Sequence, residues 1–304
     1  ICGGMRCVVV GAGVSGLSCA IRLLESGHDV EVISDKFSPE TVSDVAAAIW
    51  YPFLTAPAHK ADKWGIVTYD ELERMSEEVP QAGVRMRDGR EYLREEVPLP
   101  TWKDDIAAFR VLEKAEIPED YVFGWEFRAP VIEMPLYMPW LKRRVEELGG
   151  LFKQRFIDSL SKIDSEIVVN CVGLGARDLC DDELVKPARG QIIFIDQDPG
   201  FGHFDQQPET LTYTIPRSDV TVLGGTAQVD DWDLNIRDED NDLILRKVEA
   251  IWPELDRSKI IGGTVGLRPS RSEVRLEVES VDGTIVVHNY GHGGAGVTLS
   301  WGCA

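Results

Sequence analysis

Hydrophobic and polar positions change period twice in the first thirty-odd residues. Residues 7–10 form a short apolar, β-branched run that reads as a buried strand. Gly11, Ala12, Gly13, Val14, Ser15 and Gly16 interrupt it. Leu17, Ala20, Ile21 and Leu24 then recur at helical spacing as far as Gly27, which predicts a helix stopped by glycine. A second apolar run at residues 30–34 predicts another strand. Helical periodicity returns at residues 67–79 and 137–148, the latter before a glycine pair. Residues 165–175 read as a buried strand entering a second glycine turn. Strand-like stretches follow from Arg189, Thr210, Val220 and Ile260, bounded by Gly, Pro, Asp or Ser, and predict a largely antiparallel sheet. Residues 238–252 interrupt them as an exposed helix, acidic at its start and basic toward its end.

A chain of 304 residues buries a sizeable core, and two interwoven domains are expected. With 52 acidic against 32 basic side chains, the net charge of -20 argues against nucleic acid and anionic lipid as partners. No run approaches the roughly 18 apolar residues of a membrane span. The six cysteines show no paired spacing, so no metal is expected and the default is reduced thiols in a cytoplasmic protein, with a bridge between Cys180 and Cys303 left open. The four residues before Met5 read better as a remnant than as structure.

Strand, glycine turn and helix together make the first segment chemically informative. Gly11 permits a tight turn, Gly13 lets backbone approach a pyrophosphate, and Gly16 lets helix pack closely on strand. Asp35 ends the second strand 19 residues beyond Gly16, where an acid binds ribose hydroxyls. Such an acid, despite the neighbouring Lys36, favours a dinucleotide without an extra ribose phosphate, which leaves NAD and FAD. The chain does not continue in the regular alternation of an NAD domain. Instead Ala46, Ala47 and Ala48 precede bulky aromatics, a pattern suited to backbone sliding under a large flat ring. The second glycine turn, at Gly173, suits a flavin domain built from two halves.

In the order "VVVGAGVSGLS", "DKFSPETVSDVAAAIWYPF", "PLPTWKD", "VVNCVGLGAR", "RGQIIFI", "TVGLRPSRSEVRLE" and "HNYGHGGAGVTLSWGCA", the sequence resembles the FAD-dependent D-amino-acid oxidase family along nearly its whole length. "GLRP" combined with "HNYGHGG" resembles the D-amino-acid and D-aspartate branch. The resemblance implies an α/β fold, with a Rossmann-like FAD-binding domain (residues 1–56, 138–188 and 260–304) interleaved with a mainly antiparallel substrate domain (57–137 and 189–259). It implies oxidative deamination of a D-amino acid to a 2-oxo acid, with hydride transfer from the α-carbon to flavin N5 and reoxidation by O2 to hydrogen peroxide.

By the same resemblance, Gly11 to Gly16, Asp35 and Lys36 hold adenosine and pyrophosphate, with Ile157 on the adenine side and Gly173 alongside. Thr41, Val42 and Ser43 follow the pyrophosphate and ribityl chain, and Ala46 to Ala48 pass the isoalloxazine. Gly293, Gly294, Ala295, Gly296, Val297 and Thr298 surround its pyrimidine end, with Arg268 also at the cofactor. Arg268 binds the substrate carboxylate, Tyr213 adds a hydroxyl, and the Gly294 carbonyl accepts from the amine. Independently of any family, arginine is the side chain that grips a carboxylate through two parallel bonds. His292 is expected to be structural, because positioning alone suffices for the chemistry.

The chain departs from the family at Tyr51, Glu209 and the lid, and the sequence stops at Ala304, short of the family's terminal helix. Tyr51 stands where mammalian oxidases have glutamine, Glu209 where they have a lid tyrosine, and residues 202–208 form a shorter lid. Ala227 stands where D-aspartate oxidases place an arginine. Ile49, Tyr51, Ile215 and Ala227 are therefore expected to shape a pocket for neutral, apolar D-amino acids. A homo-oligomer remains open. The competing readings are a glycine or secondary-amine oxidase or an amino-acid dehydrogenase of the same fold, and a non-catalytic dinucleotide-binding module.

Overall fold

The computed structural model describes residues 4–52 and 55–304; Cys2 and Phe53 lie outside them. In chain order the strands and helices are β1 (Arg6–Val10), α1 (Val14–Glu25), β2 (Asp29–Ser34), α2 (Ala58–Glu78), β3 (Val84–Leu93), β4 (Phe109–Val111) and β5 (Phe123–Ile132). Then come α3 (Met134–Glu147), β6 (Leu151–Gln154), β7 (Ile167–Asn170), α4 (Ala176–Leu179), β8 (Lys186–Ile195), β9 (Gly202–Asp205), β10 (Thr212–Pro216) and β11 (Thr221–Gly224). The last are β12 (Gln228–Val229), α5 (Asp238–Ile251), β13 (Ile260–Val281), β14 (Thr284–His292) and α6 (Gly296–Cys303).

All these strands join one sheet, in the order β4, β5, β3, β9, β10, β11, β8, β13, β14, β7, β1, β2, β6, with β12 on β8. From β14 to β6 every pairing is parallel. On the other side the pairings are antiparallel except β3 with β9. β13 belongs to both halves: its first part, through Ser270, pairs with β8, and its second, from Arg275, pairs with β14. The expected domain boundaries at 137/138 and 188/189 fall inside α3 and β8.

The predicted β1, α1 and β2 form where the periodicity put them. Residues Cys7 to Val10 of β1 are all buried, and Leu17, Ala20 and Ile21 of α1 pack in the same core with Val30 and Val32. Gly16 is obligatory for that approach, since a Cβ there would lie 1.9 Å from the Gly11 carbonyl oxygen. Gly27, at φ +83°, ends the helix in the left-handed region, as its position predicts.

Two long strands, β3 and β5, were not predicted. Their solvent-facing positions carry charges that pair across the strands, Arg90 with Glu126 at 2.7 Å and Arg128 with Asp88 at 2.9 Å, so the alternation is obscured. The expectation of an exposed α5 is also corrected. Ile244, Leu245 and Val248 pack on Ile193 and Ile195 of β8 and Leu223 of β11. Its acidic start is not all solvated either: Asp240 is buried and pairs at 2.7 Å with Arg189, which is 0% exposed. The bridge left open between Cys180 and Cys303 is absent, because Cys303 packs with Ala295 and Leu299 while Cys180 lies beside Asn170; both thiols are free.

The Arg189 guanidinium also donates to Gln228, Gln191 and the Asp233 carbonyl, so a complete set of acceptors holds it in the interior. Asp240→Ala removes the only carboxylate of that set. It is expected to destabilise the fold by about 3–5 kcal/mol, the cost of stranding one member of a buried pair. Urea unfolding measures this, and an unchanged midpoint would show that the neutral acceptors suffice.

Candidate active site

A cavity of about 660 Å³ opens where the parallel strands end, within the range of small-molecule and cofactor sites. Its walls come first from the turns after β1, β2, β6 and β7. Gly11 sits there at φ +105°, and a Cβ on it would lie 2.4 Å from the Cys171 carbonyl oxygen. Gly13, where a Cβ would approach Ser43 Oγ to 3.0 Å, leaves the α1 N-terminus open to the cavity beside Val14 and Ser15. The first turn of α1 holds no acidic side chain, so its positive end is not neutralised from within. Ser43 Oγ accepts from the Val14 N–H at 3.0 Å, tying the following loop to that end.

Asp35 and Lys36 line the cavity after β2, with Ile157 opposite, and Gly173 lines it after β7. Ala12, Thr41, Val42, Ser43, Ala46, Ala47 and Ala48 continue the wall. Thr41 and Asp44 form a capping box around the short turn Val42–Val45, so the Thr41 hydroxyl donates to Asp44 at 2.6 Å. Beyond it the chain is pinned against β5: the Trp50 N–H donates to the Pro130 carbonyl at 2.8 Å, and Ile49 bridges Val131. This holds the backbone of residues 46–49 at the cavity's edge. Small side chains, a narrow approach and an open helix N-terminus fit the pyrophosphate and ring of an adenine dinucleotide.

The opposite wall belongs to β8, β10 and β13. Arg268 of β13 lies flat over Gly190 of β8, where an added Cβ would come within 2.4 Å of its guanidinium. Its Nη1 donates to the Thr226 carbonyl at 2.7 Å, which aims the fork and leaves other N–H groups for a ligand. Tyr213 of β10 lies over Gly224 and Gly225, where a Cβ would approach its ring to 2.1 and 2.6 Å respectively. Both side chains are thus seated on glycines of neighbouring strands. Ile49, Tyr51 and Ile215 line the same end, joined by Phe204, Gln206 and Leu211, which the sequence did not disclose.

Gly293, Gly294, Gly296 and Val297 close the cavity between β14 and α6. His292 lines it too, but burial pushes its imidazole down to about 4, so the ring is neutral, and Nε2 donates to Asn289 Oδ1 at 2.8 Å. That bond ties it to Asn289 of the same strand, β14. Three residues assigned to the cofactor lie behind the wall instead. Gly16 serves packing, Ala295 is buried beside Leu299, and the Thr298 hydroxyl bonds the Tyr51 backbone, accepting from its N–H at 3.1 Å and donating to its carbonyl at 3.0 Å.

One pocket assignment is corrected. Thr226 turns inward, its hydroxyl accepting from the Gln191 N–H at 2.9 Å, so the next residue, Ala227, points to solvent. Glu209 is exposed in the turn between β9 and β10 and does not line the cavity. The expected lid at residues 202–208 is also different, because its first four residues are the buried strand β9. Missed on the dinucleotide side are Arg155, Phe156, Glu40 and Asp178. The Tyr51 hydroxyl donates to the buried Glu91 of β3, which does not itself line the cavity.

The sequence matches the DAO family, described as FAD dependent oxidoreductase, over residues 6–304. It is 42% identical over 306 residues to a D-amino-acid oxidase of Rubrobacter xylanophilus, covering 98% of this chain and 93% of that one. To a human D-aspartate oxidase it is 39% identical over 317 residues, covering 98% and 92%. Among solved structures, glycine oxidase from Geobacillus kaustophilus superposes with a TM-score of 0.81 at 16% identity, over 98% of this chain and 92% of that one, a likeness of fold. No helix among the described residues is long and apolar enough to cross a membrane. With a dinucleotide cleft ending at a seated arginine, and a match along almost its entire length, the chain belongs to the DAO family of FAD-dependent flavoprotein oxidoreductases.

Proposed function

We propose that the protein oxidatively deaminates neutral, apolar D-amino acids to 2-oxo acids, with ammonia and hydrogen peroxide as the other products. The observation that carries this reading is the single cation at the substrate end of the cavity. Arg268 is the only basic residue that β8, β10 and β13 contribute to the described lining; Lys36 and Arg155 follow β2 and β6. One guanidinium binds one carboxylate. Around it Ile49, Ile215, Phe204 and Leu211 present apolar surface, so a second carboxylate would be desolvated without a partner. The relatives named D-amino-acid oxidase support the D configuration.

When bound, FAD supplies the two-electron acceptor at flavin N5 and the route to O2. The chain's own residues position the substrate. Arg268 fixes its carboxylate, Tyr213 adds a hydroxyl, and the Gly294 carbonyl accepts from the amine, so the α-carbon is held rather than activated by a base. His292, which burial lowers to about 4, is a weak proton acceptor and is assigned no such duty. The five described cysteines are all free thiols, which suits a reducing cytoplasm.

A peroxide assay over D- and L-amino acids, glycine and sarcosine, with and without an artificial acceptor, tests the reading. D-valine, D-leucine and D-alanine should give higher kcat/KM than D-aspartate, glycine or any L-amino acid. A higher value for D-aspartate or sarcosine, or turnover only with the artificial acceptor, would overturn it.

Arg268→Ala should lower kcat/KM by roughly 100-fold or more, the worth of one to two charge-assisted hydrogen bonds, chiefly through KM. Flavin absorbance should remain. Arg268→Lys should recover only part of the loss, because an ammonium cannot reproduce the fork. Near-normal kinetics in the alanine variant would place the carboxylate elsewhere.

A further inference from the structure

Glu91 is a carboxyl group with no part in cofactor binding or catalysis, yet it is 4% exposed and sits one layer behind the substrate wall. Its strand register explains the burial: β3 places it between Trp125 of β5 and Phe204 of β9, on the aromatic face of the sheet. Its hydrogen-bond partner there is the hydroxyl of Tyr51, a ring that lines the cavity and packs edge-on against Trp102. The buried Trp125 indole N–H lies beside the same carboxyl, so this is a polar pocket inside an apolar layer.

We propose that Tyr51 and Glu91 form a hydrogen-bond selector in the substrate wall, in which the protonation of Glu91 decides whether Tyr51 offers a donor or only an acceptor to the substrate side chain. The proposal rests on the reading of this cavity end as the amino-acid site. A phenol has one proton to give. Against a carboxylate it must give that proton to Glu91, and only its lone pairs remain for the cavity. Against a neutral carboxylic acid the acid O–H can donate to the phenol oxygen, which frees the phenol proton for a substrate acceptor.

Burial holds Glu91 neutral up to about 8, and the Asp205 charge adds to this; the hydrogen bond from Tyr51 and the nearby Trp125 indole oppose it. Asp205 of β9 is held by the Tyr121 hydroxyl at 2.8 Å and approached by Arg94 at 3.9 Å, and Lys247 of α5 bears on it as well. Arg90, its partner Glu126, and His203 lie at neighbouring register positions on the other face of the sheet. The switch therefore falls between neutral and mildly alkaline pH.

O-methyl-D-serine and D-norvaline have nearly the same shape and differ by one ether oxygen, an acceptor without a donor. For the wild-type holoenzyme, the ratio of their kcat/KM values should fall about fivefold between roughly pH 6.5 and 9.5, the worth of one neutral hydrogen bond. Glu91→Gln should keep the high ratio throughout, since an amide also donates to the phenol oxygen. Tyr51→Phe should give the low ratio throughout. In the substrate-free holoenzyme an infrared carboxylic-acid band should disappear as pH rises through about 8, and Glu91→Gln should lack it.

Thermal stability supplies a further readout. The folded protein keeps this proton while the unfolded chain releases it near 4.5, so wild type should lose Tm relative to Glu91→Gln as pH rises from there to about 8. A flat wild-type ratio with both amino acids oxidised, or the absence of a titrating band, overturns the selector. If neither amino acid is oxidised, the amino-acid reading falls and takes the selector with it, while the band still reports the state of Glu91.

Discussion

Strand β13 is the constraint on which the rest of the molecule depends. Its first half is hydrogen-bonded to β8 and its second to β14, so the antiparallel and parallel halves share one continuous backbone. Arg268 and Pro269 lie just before the changeover, and Gly266 sits under Val45, where any Cβ would meet that side chain at 2.7 Å. Arg268 is therefore fixed relative to the dinucleotide cleft by main-chain bonds in both directions. A site in which two bound molecules must meet at one atom needs this kind of rigidity, because small displacements of the reacting groups cost large factors in rate.

Seating on glycine is the second device. Long polar side chains lose rotamer freedom when they must point one way. Here Gly190 gives the Arg268 fork a flat bed, and Gly224 and Gly225 do the same for the Tyr213 ring. Each bed lies on a strand adjacent to the one that carries the side chain, so sheet pairing itself sets the orientation. The pocket's apolar residues then need only to exclude water.

Legibility in the sequence followed local completeness. The β1, α1 and β2 unit could be read because its burial, its glycines and Asp35 all lie within thirty residues. β3 and β5 could not, since cross-strand ion pairs such as Arg90 with Glu126 fill the positions where alternation would show. Glu91 was invisible for the same reason. Ala227 and Glu209 were placed by resemblance alone, and the direction of a side chain depends on which neighbour turns inward, here Thr226. Gly190 and Gly224, by contrast, carried a usable signal: glycine within a strand marks something lying close above it.

Segments almost three hundred residues apart meet at the cavity. Gly11 follows β1, Gly296 opens α6, and β14 completes the parallel half beside β7 and β1. A polypeptide emerging residue by residue thus exposes its first strand and glycine turn long before the segment that closes over them exists. The early part keeps an unfilled sheet edge beside β7 until β14 has been made. Any stretch of chain that ends before β14 therefore lacks one wall of the cofactor cleft, so the Gly11 turn alone is an incomplete binding site.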